Sequence, residues 1–264
     1  MNQISFSELG AAFGKTDGPI VLDVRRAPAY RQSNATIAGA LRRDPEAVSL
    51  WLKTLPRASS IVAYCVHGHE VSQGVARALQ AQGLHARCLE GGIERWTQEG
   101  GALDPKPADG ETRWVTRERP KIDRIACPWL ISRFVDRNAE FLYVPAKQVR
   151  EVAAARNAIA YDVPDVHFTH QGEQCSFDAF LKHYRLGADP ALQKLALIVR
   201  GADTARLDMA PQAAGLAAVS LGLSRLFSDD HEMLKHGMVL YDALYAWCRE
   251  GQEEIHTWNP EAYR

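Results

Sequence analysis

The chain lacks several features that would place it in a special class of protein. No apolar stretch in its 264 residues approaches the roughly 20 residues that cross a bilayer. Its first residues lack the basic and apolar regions of a signal peptide. It has no basic excess, since Lys and Arg number 31, Asp and Glu number 32, and the net charge is -1. These absences predict a cytoplasmic protein with no membrane partner and no nucleic-acid partner.

Paired cysteines are also absent. The five cysteines are scattered and contain no Cys-x-x-Cys motif. This odd number of isolated thiols favours a reducing compartment over a disulfide scaffold. The sequence has no internal repeat and no low-complexity tract, and its length suffices for two modest domains.

A polar stretch divides the chain. Residues 99–110 contain three Gly and two Pro, a composition typical of an interdomain linker. We therefore predict a first domain over residues 1–104, a second over 111–250 and a tail over 251–264. The two domains are expected to be separable near residues 105–110.

The order of predicted elements gives the fold class. Before the linker, strands alternate with helices, which predicts an α/β domain with a doubly wound parallel sheet. After it, we predict a largely helical α+β domain. The first domain is expected to open with a capping box at Ser5 and Glu8, to have strands at 20–24, 61–64 and 85–89, and to have helices from Asp44 and from Ser72. The second is expected to have strands at 113–116, 140–144, 158–163 and 166–169, and helices from Cys127, over 192–200, over 216–227 and from Asp229.

The most informative residue is Cys65. It follows the apolar run 61–64 and precedes the helix predicted from Ser72, so it lies where parallel α/β sheets bind ligands. The loop amides and the helix N-terminus are expected to stabilise an anion there and to lower the pKa of the Cys65 thiol. This position predicts a nucleophilic thiolate; the alternative is a buried structural cysteine.

The first domain resembles the rhodanese family. The resemblance is carried in order by Val21-Leu22-Asp23-Val24-Arg25, Ala35-Thr36-Ile37-Ala38-Gly39-Ala40, Tyr64-Cys65-Val66-His67-Gly68 and Glu90-Gly91-Gly92-Ile93-Glu94-Arg95-Trp96. The second segment departs from the family's Gly-His-Ile-Pro-Gly-Ala. The resemblance implies sulfur transfer through a Cys65 persulfide, with small sulfur donors and acceptors as partners and no cofactor. It also implies that Asp23 and Arg25 brace the active-site loop.

The predicted loop is longer than is usual for sulfurtransferases of this family. Counted to the residue before Ser72, it has seven residues, namely Cys65, Val66, His67, Gly68, His69, Glu70 and Val71. That length is similar to the loops of related phosphatases and arsenate reductases, which need a final arginine to bind a tetrahedral oxyanion. Val71 and the acidic Glu70 disfavour that chemistry. His67 and His69 either supply hydrogen bonds and charge or are solvated loop residues.

The second domain resembles the bacterial chromate-resistance (ChrB-type) family over most of residues 113–250. The resemblance is carried by the run from Trp114 to Leu130, and by Phe168-Thr169-His170, Cys175-Ser176-Phe177, the run from Ile198 to Thr204 and the run from Leu240 to Cys248. It implies a connection with chromate or metal-oxyanion stress.

One candidate site in the second domain is basic. The basic residues Arg117, Arg119, Lys121 and Arg124 lead into Cys127, and Pro128 is expected to place Cys127 at a helix N-cap. Arginines beside a helix N-terminus can hold an oxyanion such as chromate. The alternative is a solvated basic strand edge with a half-buried cysteine.

The other candidate site is a metal centre for zinc or iron. Its ligand types are imidazole, thiolate and carboxylate, from His167, His170, Cys175, Asp203, Asp230 and His231. We expect the rings of His170 and His231 to approach a common point. Alternatively, an ordinary hydrogen-bond network satisfies these groups, and Asp230 only charges the first turn of the last helix.

The sequence as a whole favours a cytoplasmic sulfurtransferase with Cys65 as nucleophile, linked to chromate or metal-oxyanion resistance. The alternative is a non-enzymatic chromate or metal sensor in which Cys65 is redox-active. A third interpretation, an oxyanion reductase, is weakened by Val71.

Overall fold

The computed structural model describes residues 3–13, 18–55, 59–106 and 110–253. The chain begins with the predicted capping box. The Ser5 side chain accepts a hydrogen bond from the Glu8 amide, and the Glu8 carboxylate accepts one from the Ser5 amide. Two backbone amides at the start of this helix are thereby satisfied, so the prediction is confirmed.

The first half is an α/β layer structure around a five-stranded parallel sheet, which confirms the predicted class. The strands lie in the order β1-β6-β5-β2-β4. The elements are β1 (Gln3–Ile4), α1 (Phe6–Ala12), β2 (Ile20–Asp23), α2 (Ala27–Gln32), β3 (Ala35–Ile37), β4 (Leu41–Arg42), α3 (Val48–Trp51), β5 (Ser60–Tyr64), α4 (Glu70–Gln80), β6 (His85–Leu89) and α5 (Gly92–Gln98).

The two inner strands place the cysteine loop at the sheet's carboxyl edge. In β2 and in β5, residues Ile20–Asp23 and 61–64 are buried, because helices cover both faces of the sheet. The two strands pair in parallel from Ile20 opposite Ile61 to Asp23 opposite Tyr64. Asp23 and Tyr64 therefore end their strands side by side, and Cys65 follows at once.

Two helices in this half begin away from the expected residue. Helix α4 begins at Glu70, two residues before the start expected near Ser72. Helix α3 begins at Val48, because the Asp44 side chain accepts a hydrogen bond from the Glu46 amide and closes a turn there instead.

Part of the stretch predicted as a linker is ordered on the first domain. Residues Leu103–Pro105 form strand β7, antiparallel to β3, with Ile37 opposite Leu103 and Ala35 opposite Pro105. Lys106 is also buried there. Residues 107–109 lie outside the described part of the chain, so the domain boundary near 105–110 stays a prediction.

The second half is mostly helical and contains a small parallel sheet in the order β10-β8-β9, which confirms the predicted class. Its elements are β8 (Arg113–Arg117), α6 (Asp123–Leu130), β9 (Glu140–Val144), α7 (Val149–Arg156), β10 (Ile159–Ala160), α8 (Ser176–His183), α9 (Pro190–Asp203), α10 (Ala213–Leu226) and α11 (Asp230–Ala246). A π turn over Ile131–Val135 extends α6, and another over Trp247–Gly251 extends α11.

Three predictions fail in the second half. Helix α6 begins at Asp123, so Cys127 and Pro128 lie inside it and not at its start. The strand predicted over 158–163 is only Ile159–Ala160. The strand predicted over 166–169 is reduced to a single bridge between Phe168 and Tyr161.

The two halves are in contact. Their buried apolar residues form a joint cluster that runs from Leu41 and Trp51 to Ile131 and Val135. The Tyr30 hydroxyl of the first half also donates to the Asp136 carboxylate of the second at 3.3 Å. Among the described helices, none is both long enough and apolar enough to cross a membrane.

Candidate functional sites

The loop after β5 folds back so that Ser72, at its far end, approaches Cys65. Cys65 Sγ lies 3.2 Å from Ser72 Oγ, which is in the first turn of α4. Cys65 is 7% exposed, so its sulfur is enclosed but retains contact with solvent. Because α4 begins at Glu70, the non-helical loop runs only from Cys65 to His69, and Glu70, Val71 and Ser72 belong to the helix.

The loop amides are not used by the protein. Within the described residues, none of the backbone N–H groups from Val66 to Ser72 donates a hydrogen bond. Seven consecutive backbone donors that follow Cys65 thus remain free. Such a run of amides at a helix N-terminus stabilises negative charge.

The segment that follows Gly91 and Gly92 holds the Cys65 loop through backbone hydrogen bonds. The amide of Ile93 donates to Cys65 O at 3.0 Å, and that of Glu94 donates to Val66 O at 3.1 Å. Gly68 and Gly92 both have positive φ. A Cβ at Gly92 would lie 2.5 Å or less from the carbonyl oxygens of Cys65 and Val66, so only glycine fits.

Asp23 and Arg25 form a buried pair behind the loop. The Arg25 guanidinium donates from Nη2 to Asp23 Oδ2 at 2.6 Å and from Nε to Oδ1 at 3.0 Å. Asp23 Oδ2 also accepts the Tyr64 hydroxyl at 2.7 Å, and that hydroxyl accepts the Ile37 amide. Since Tyr64 precedes Cys65, this pair positions the strand end from which the loop starts.

The side chains of the other loop residues are not arranged to bind an anion beside Cys65. The His67 Nδ1 atom pairs with the Glu94 carboxylate at 2.9 Å, and both side chains are exposed. His69 and Glu70 are exposed as well. Val71 packs against the core and lines a groove of about 270 Å³ together with Val48 and Gly74. No arginine from the loop faces Cys65.

The predicted oxyanion site of the second domain does not form as expected. The Arg117 and Arg124 guanidiniums both pair with Asp162, at 2.7 and 3.2 Å. Arg119 instead donates its amide to Asp230 and its side chain to backbone oxygens near Ser224 and Phe227. The three arginines are therefore engaged by protein acceptors at two separate places.

Cys127 is not the exposed helix-cap thiol that was predicted. It lies inside α6 and is fully buried. Burial, together with the negative charge of Asp123, raises the pKa of the Cys127 thiol well above its ordinary value. The thiol is therefore protonated at neutral pH, which removes it from the predicted oxyanion site.

His170 lies at the centre of a cluster of carboxylates. Its Nε2 atom is 3.1 Å from Asp203, 3.4 Å from Asp123 and 3.6 Å from Asp162. One ligand atom each from Asp123, Asp162 and His170 lie within 4.8 Å of one another. His170 is about two-fifths exposed, whereas Asp123 and Asp162 are buried, so the cluster opens to solvent on the histidine side.

The cluster perturbs the protonation of its own members. The hydrogen bond to Asp123 and the charges of Asp123, Asp203 and Asp162 raise the pKa of His170 to about 9. Burial and the neighbouring Asp123 raise the pKa of Asp203 to about 7. Burial and Asp123 also raise the pKa of Asp162. Shifts of this kind in a partly exposed cluster mark a candidate functional site.

The structure brings together only part of the predicted metal set. His170 and Asp203 are in the cluster, but Asp230 accepts the Arg119 amide. The His231 ring packs on Tyr143 at 5.5 Å and contributes no atom to the group formed by Asp123, Asp162 and His170. The expected convergence of His170 and His231 is therefore wrong.

Cys175 does not join the group formed by Asp123, Asp162 and His170, contrary to the prediction. It is fully buried at the N-cap of α8, where its sulfur accepts from the backbone amide of the third helical residue. Burial and the nearby Asp123 raise the pKa of the Cys175 thiol far above its ordinary value.

Sequence reasoning missed Asp123 and Asp162. Asp162 had a usable signal, because it follows the apolar run 158–161 at the carboxyl end of a strand. Asp123 had a weaker signal in the sequence, since its position in the structure depends on where α6 begins. Ile122, just before it, has φ +41°, an unusual conformation for a β-branched residue.

The two halves of the chain match different families of known proteins. Residues 5–99 match the rhodanese-like domain family. Two solved structures resemble this part. A rhodanese-related protein from Thermoplasma volcanium is 25% identical, covers 39% of this chain and 97% of its own, and has a TM-score of 0.35. A rhodanese-like domain protein from Staphylococcus aureus is 24% identical, covers 40% and 99%, and has a TM-score of 0.35.

The second half matches a different family. Residues 114–248 match the family described as ChrB, C-terminal domain, and this match spans half of the chain. Protein ChrB from Cupriavidus metallidurans (strain ATCC 43123 / DSM 2839 / NBRC 102507 / CH34) is 32% identical over 142 residues, which are 54% of this chain and 42% of that relative. The chain thus spans less than half of its relative's length. From these matches, the chain belongs to the ChrB C-terminal-domain family and has a rhodanese-like domain on its N-terminal side.

Proposed function

We propose that this protein is a sulfurtransferase that acts through a Cys65 persulfide and serves in resistance to chromate or a related metal oxyanion. The observation that supports the chemistry is the run of unused backbone amides from Val66 to Ser72, directly after an enclosed cysteine whose sulfur lies 3.2 Å from Ser72 Oγ. A persulfide carries its negative charge on the outer sulfur. Preorganised N–H donors stabilise that charge and thereby the loaded state of the protein.

The reaction needs only the cysteine and two substrates. The Cys65 thiolate attacks the sulfane sulfur of thiosulfate, the sulfur–sulfur bond of thiosulfate breaks, and sulfite leaves with the bonding electron pair. A nucleophilic acceptor, such as a thiolate or cyanide, then attacks the outer sulfur of the persulfide. The sulfur–sulfur bond to Cys65 breaks and returns the thiolate. No cofactor takes part in either step.

The substrate class follows from the loop side chains. An exposed Glu70 and a core-packed Val71 stand where an arginine would bind a tetrahedral dianion. This disfavours phosphatase or arsenate-reductase chemistry and favours transfer of a sulfur atom. The link to chromate is supported by the family of the second domain and by the relative named Protein ChrB.

A non-enzymatic sensor is the second candidate. Its support is the polar cluster around His170, which belongs to the second domain and is separate from Cys65. A sensor binds an ion or an oxyanion and changes state without turnover. A sulfurtransferase releases sulfite in amounts that exceed the amount of protein, and this difference separates the two candidates.

The test combines intact mass with turnover. After incubation with thiosulfate, wild-type protein is expected to gain the mass of one sulfur atom and to lose it on addition of cyanide. Cys65→Ser should gain none. Cys88→Ala, which removes a buried thiol of β6 in the same domain, should behave as wild type. Sulfur gain by Cys65→Ser, or no gain by wild type, would contradict the proposal.

A further inference from the structure

We propose that the second domain binds one divalent first-row transition cation of the Mn²⁺, Fe²⁺ or Zn²⁺ type. Its ligands are a carboxylate oxygen each from Asp123 and Asp162 and the Nε2 atom of His170, with Asp203 beside them. This ligand set differs from the one that the sequence predicted, and the proposal is independent of the sulfur chemistry at Cys65.

The distances from His170 to its carboxylate neighbours are compatible with a coordination shell. With metal–ligand bonds of about 2.0–2.2 Å, two neighbouring ligand atoms in tetrahedral or octahedral geometry lie roughly 3.0–3.5 Å apart. His170 Nε2 is 3.4 Å from Asp123 and 3.6 Å from Asp162, close to that range. It is 3.1 Å from Asp203, so a fourth oxygen is available at the same spacing.

The two buried carboxylates are held in place by neighbours that leave oxygen atoms available. Asp123 Oδ2 accepts the Ser176 amide at 3.2 Å. Asp162 accepts the Ser176 hydroxyl on Oδ1 at 2.9 Å, and Arg117 and Arg124 on Oδ2. Contacts of this kind orient metal ligands from outside, and each carboxylate oxygen retains a lone pair for a cation.

A separate observation shows polar capacity that the protein does not use. The Cys127 thiol, one helical turn after Asp123, is fully buried, and no hydrogen bond joins it to another described residue. The negative charges of Asp123, Asp162 and Asp203 act on this thiol, so it is buried near the same cluster.

A buried hydroxyl near the cluster also lacks a partner. Thr116 lies on β8, directly after Val115, whose carbonyl accepts the amide of Tyr161, the residue before Asp162. The Thr116 hydroxyl has no hydrogen-bond partner among the described residues, whereas the hydroxyls of Tyr143 and Tyr161 interact with each other. An unpaired buried hydroxyl costs about 1–3 kcal/mol, so ordered water or a bound group at Thr116 is favoured.

The ligand types select the class of cation. Carboxylates together with imidazole suit Mn²⁺, Fe²⁺ and Zn²⁺, whereas Mg²⁺ and Ca²⁺ prefer oxygen alone. Among the described residues, neither Cys127 nor Cys175 contributes an atom to the group formed by Asp123, Asp162 and His170, so the ligand set contains no sulfur. The opposing arrangement is an ion-pair network in which a protonated His170 satisfies the carboxylates without a cation.

The experiment is Mn²⁺ titration of the full chain after treatment with EDTA, with free Mn²⁺ followed by electron paramagnetic resonance. Wild type is expected to bind one Mn²⁺ per chain. Asp123→Asn and His170→Gln should each weaken binding at least tenfold. The matched controls Asp165→Asn and His236→Gln change an exposed carboxylate and an exposed imidazole of the same domain, and should bind as wild type.

A thermal measurement tests the proposal even where a variant folds poorly. The melting temperature of wild type should rise with Mn²⁺ concentration and then level off, because the cation binds the folded state. The melting temperature of His170→Gln should not rise over the same range of Mn²⁺ concentration. If wild type binds none of Mn²⁺, Fe²⁺ or Zn²⁺, or if both ligand variants bind as tightly as wild type, the cluster is an ion-pair network only and the proposal is wrong.

Discussion

His183 Nε2 lies 2.8 Å from Asp104 Oδ2, and this contact joins a helix of the second domain to the strand β7 that packs on the first. The same Asp104 oxygen accepts the Gly39 amide at 2.8 Å. On its other side, His183 Nδ1 is 2.9 Å from His167 Nε2. The two domains are thus joined by a specific polar chain as well as by apolar packing.

Removal of the Asp104 carboxylate should loosen this junction. Asp104→Ala leaves the Gly39 amide and the His183 ring without their acceptor, so we expect a loss of about 1–3 kcal/mol in the free energy of unfolding. Urea denaturation measures this loss. Asp165→Ala, which removes an 86% exposed carboxylate, is the control and should change stability by no more than about 0.5 kcal/mol. Equal effects of the two variants would show that the Asp104 contact does not matter.

The same contact shapes the expected result of proteolysis. We expect limited proteolysis to cut first between residues 105 and 110, where the sequence predicts the boundary. The two fragments should then elute together from a sizing column, because the Asp104–His183 contact and the shared apolar cluster remain. A first cut elsewhere, or aggregation of the fragments, would contradict this prediction.

Glycine at position 92 should be essential for the Cys65 loop. Gly92→Ala places a methyl group within 2.6 Å of atoms of Cys65, Val66 and Gly68, and it also has an unfavourable positive φ. We expect loss of several kcal/mol of stability, or no folded protein. Gly74→Ala, in α4, meets nothing within 4 Å and should stabilise by about 0.4–1 kcal/mol. Thermal melting of both variants is the measurement, and similar melting temperatures would refute the loop geometry.

The buried Asp23–Arg25 pair should be costly to break. Asp23→Ala leaves the Arg25 guanidinium buried without its carboxylate, so we expect a loss of about 3–5 kcal/mol in the free energy of unfolding. Arg150→Gln breaks an exposed pair with Asp165 and should cost no more than about 1 kcal/mol. If the two variants lose equal stability in urea, the buried pair does not brace the strand ends.

The hydroxyl of Ser72 should matter for sulfur transfer more than for folding. Ser72→Ala removes the group 3.2 Å from Cys65 Sγ. A hydrogen bond to a charged group is worth about 1.5 kcal/mol or more, so turnover with thiosulfate should fall roughly tenfold. Steady-state release of sulfite measures this fall, with Cys65→Ser as the inactive reference. Unchanged turnover would place Ser72 outside the chemistry.

Acid should weaken the fold at the junction. Burial and the neighbouring His183 lower the pKa of His167, while Asp104 acts in the opposite direction and Lys182 in the same. The unfolded chain therefore binds a proton at His167 more readily than the folded chain does. Stability is fully present above the ordinary histidine pKa of about 6.5 and declines as pH falls below it. His167→Gln should show a smaller decline between pH 7 and pH 5 in urea denaturation, and an identical decline would contradict this assignment.

The sequence alone determined the local features of this protein. The Ser5–Glu8 capping box, the strands around residues 20–24 and 61–64, and the place of Cys65 directly after a buried strand are all confirmed in the structure. Each depends on residues that are neighbours along the chain. Apolar periodicity and turn chemistry act over a few positions, so a sequence is enough to predict them.

Only the tertiary structure decided which polar groups of the second domain meet. Asp123, Asp162, His170 and Asp203 come from the start of α6, the end of β10, a loop and the end of α9. No local pattern states how those elements pack. Burial of α6 also turned Cys127 inward and moved the helix start to Asp123, against the preference of proline for the first turn. Packing of apolar faces fixes these positions, and it acts between residues that are far apart in the chain.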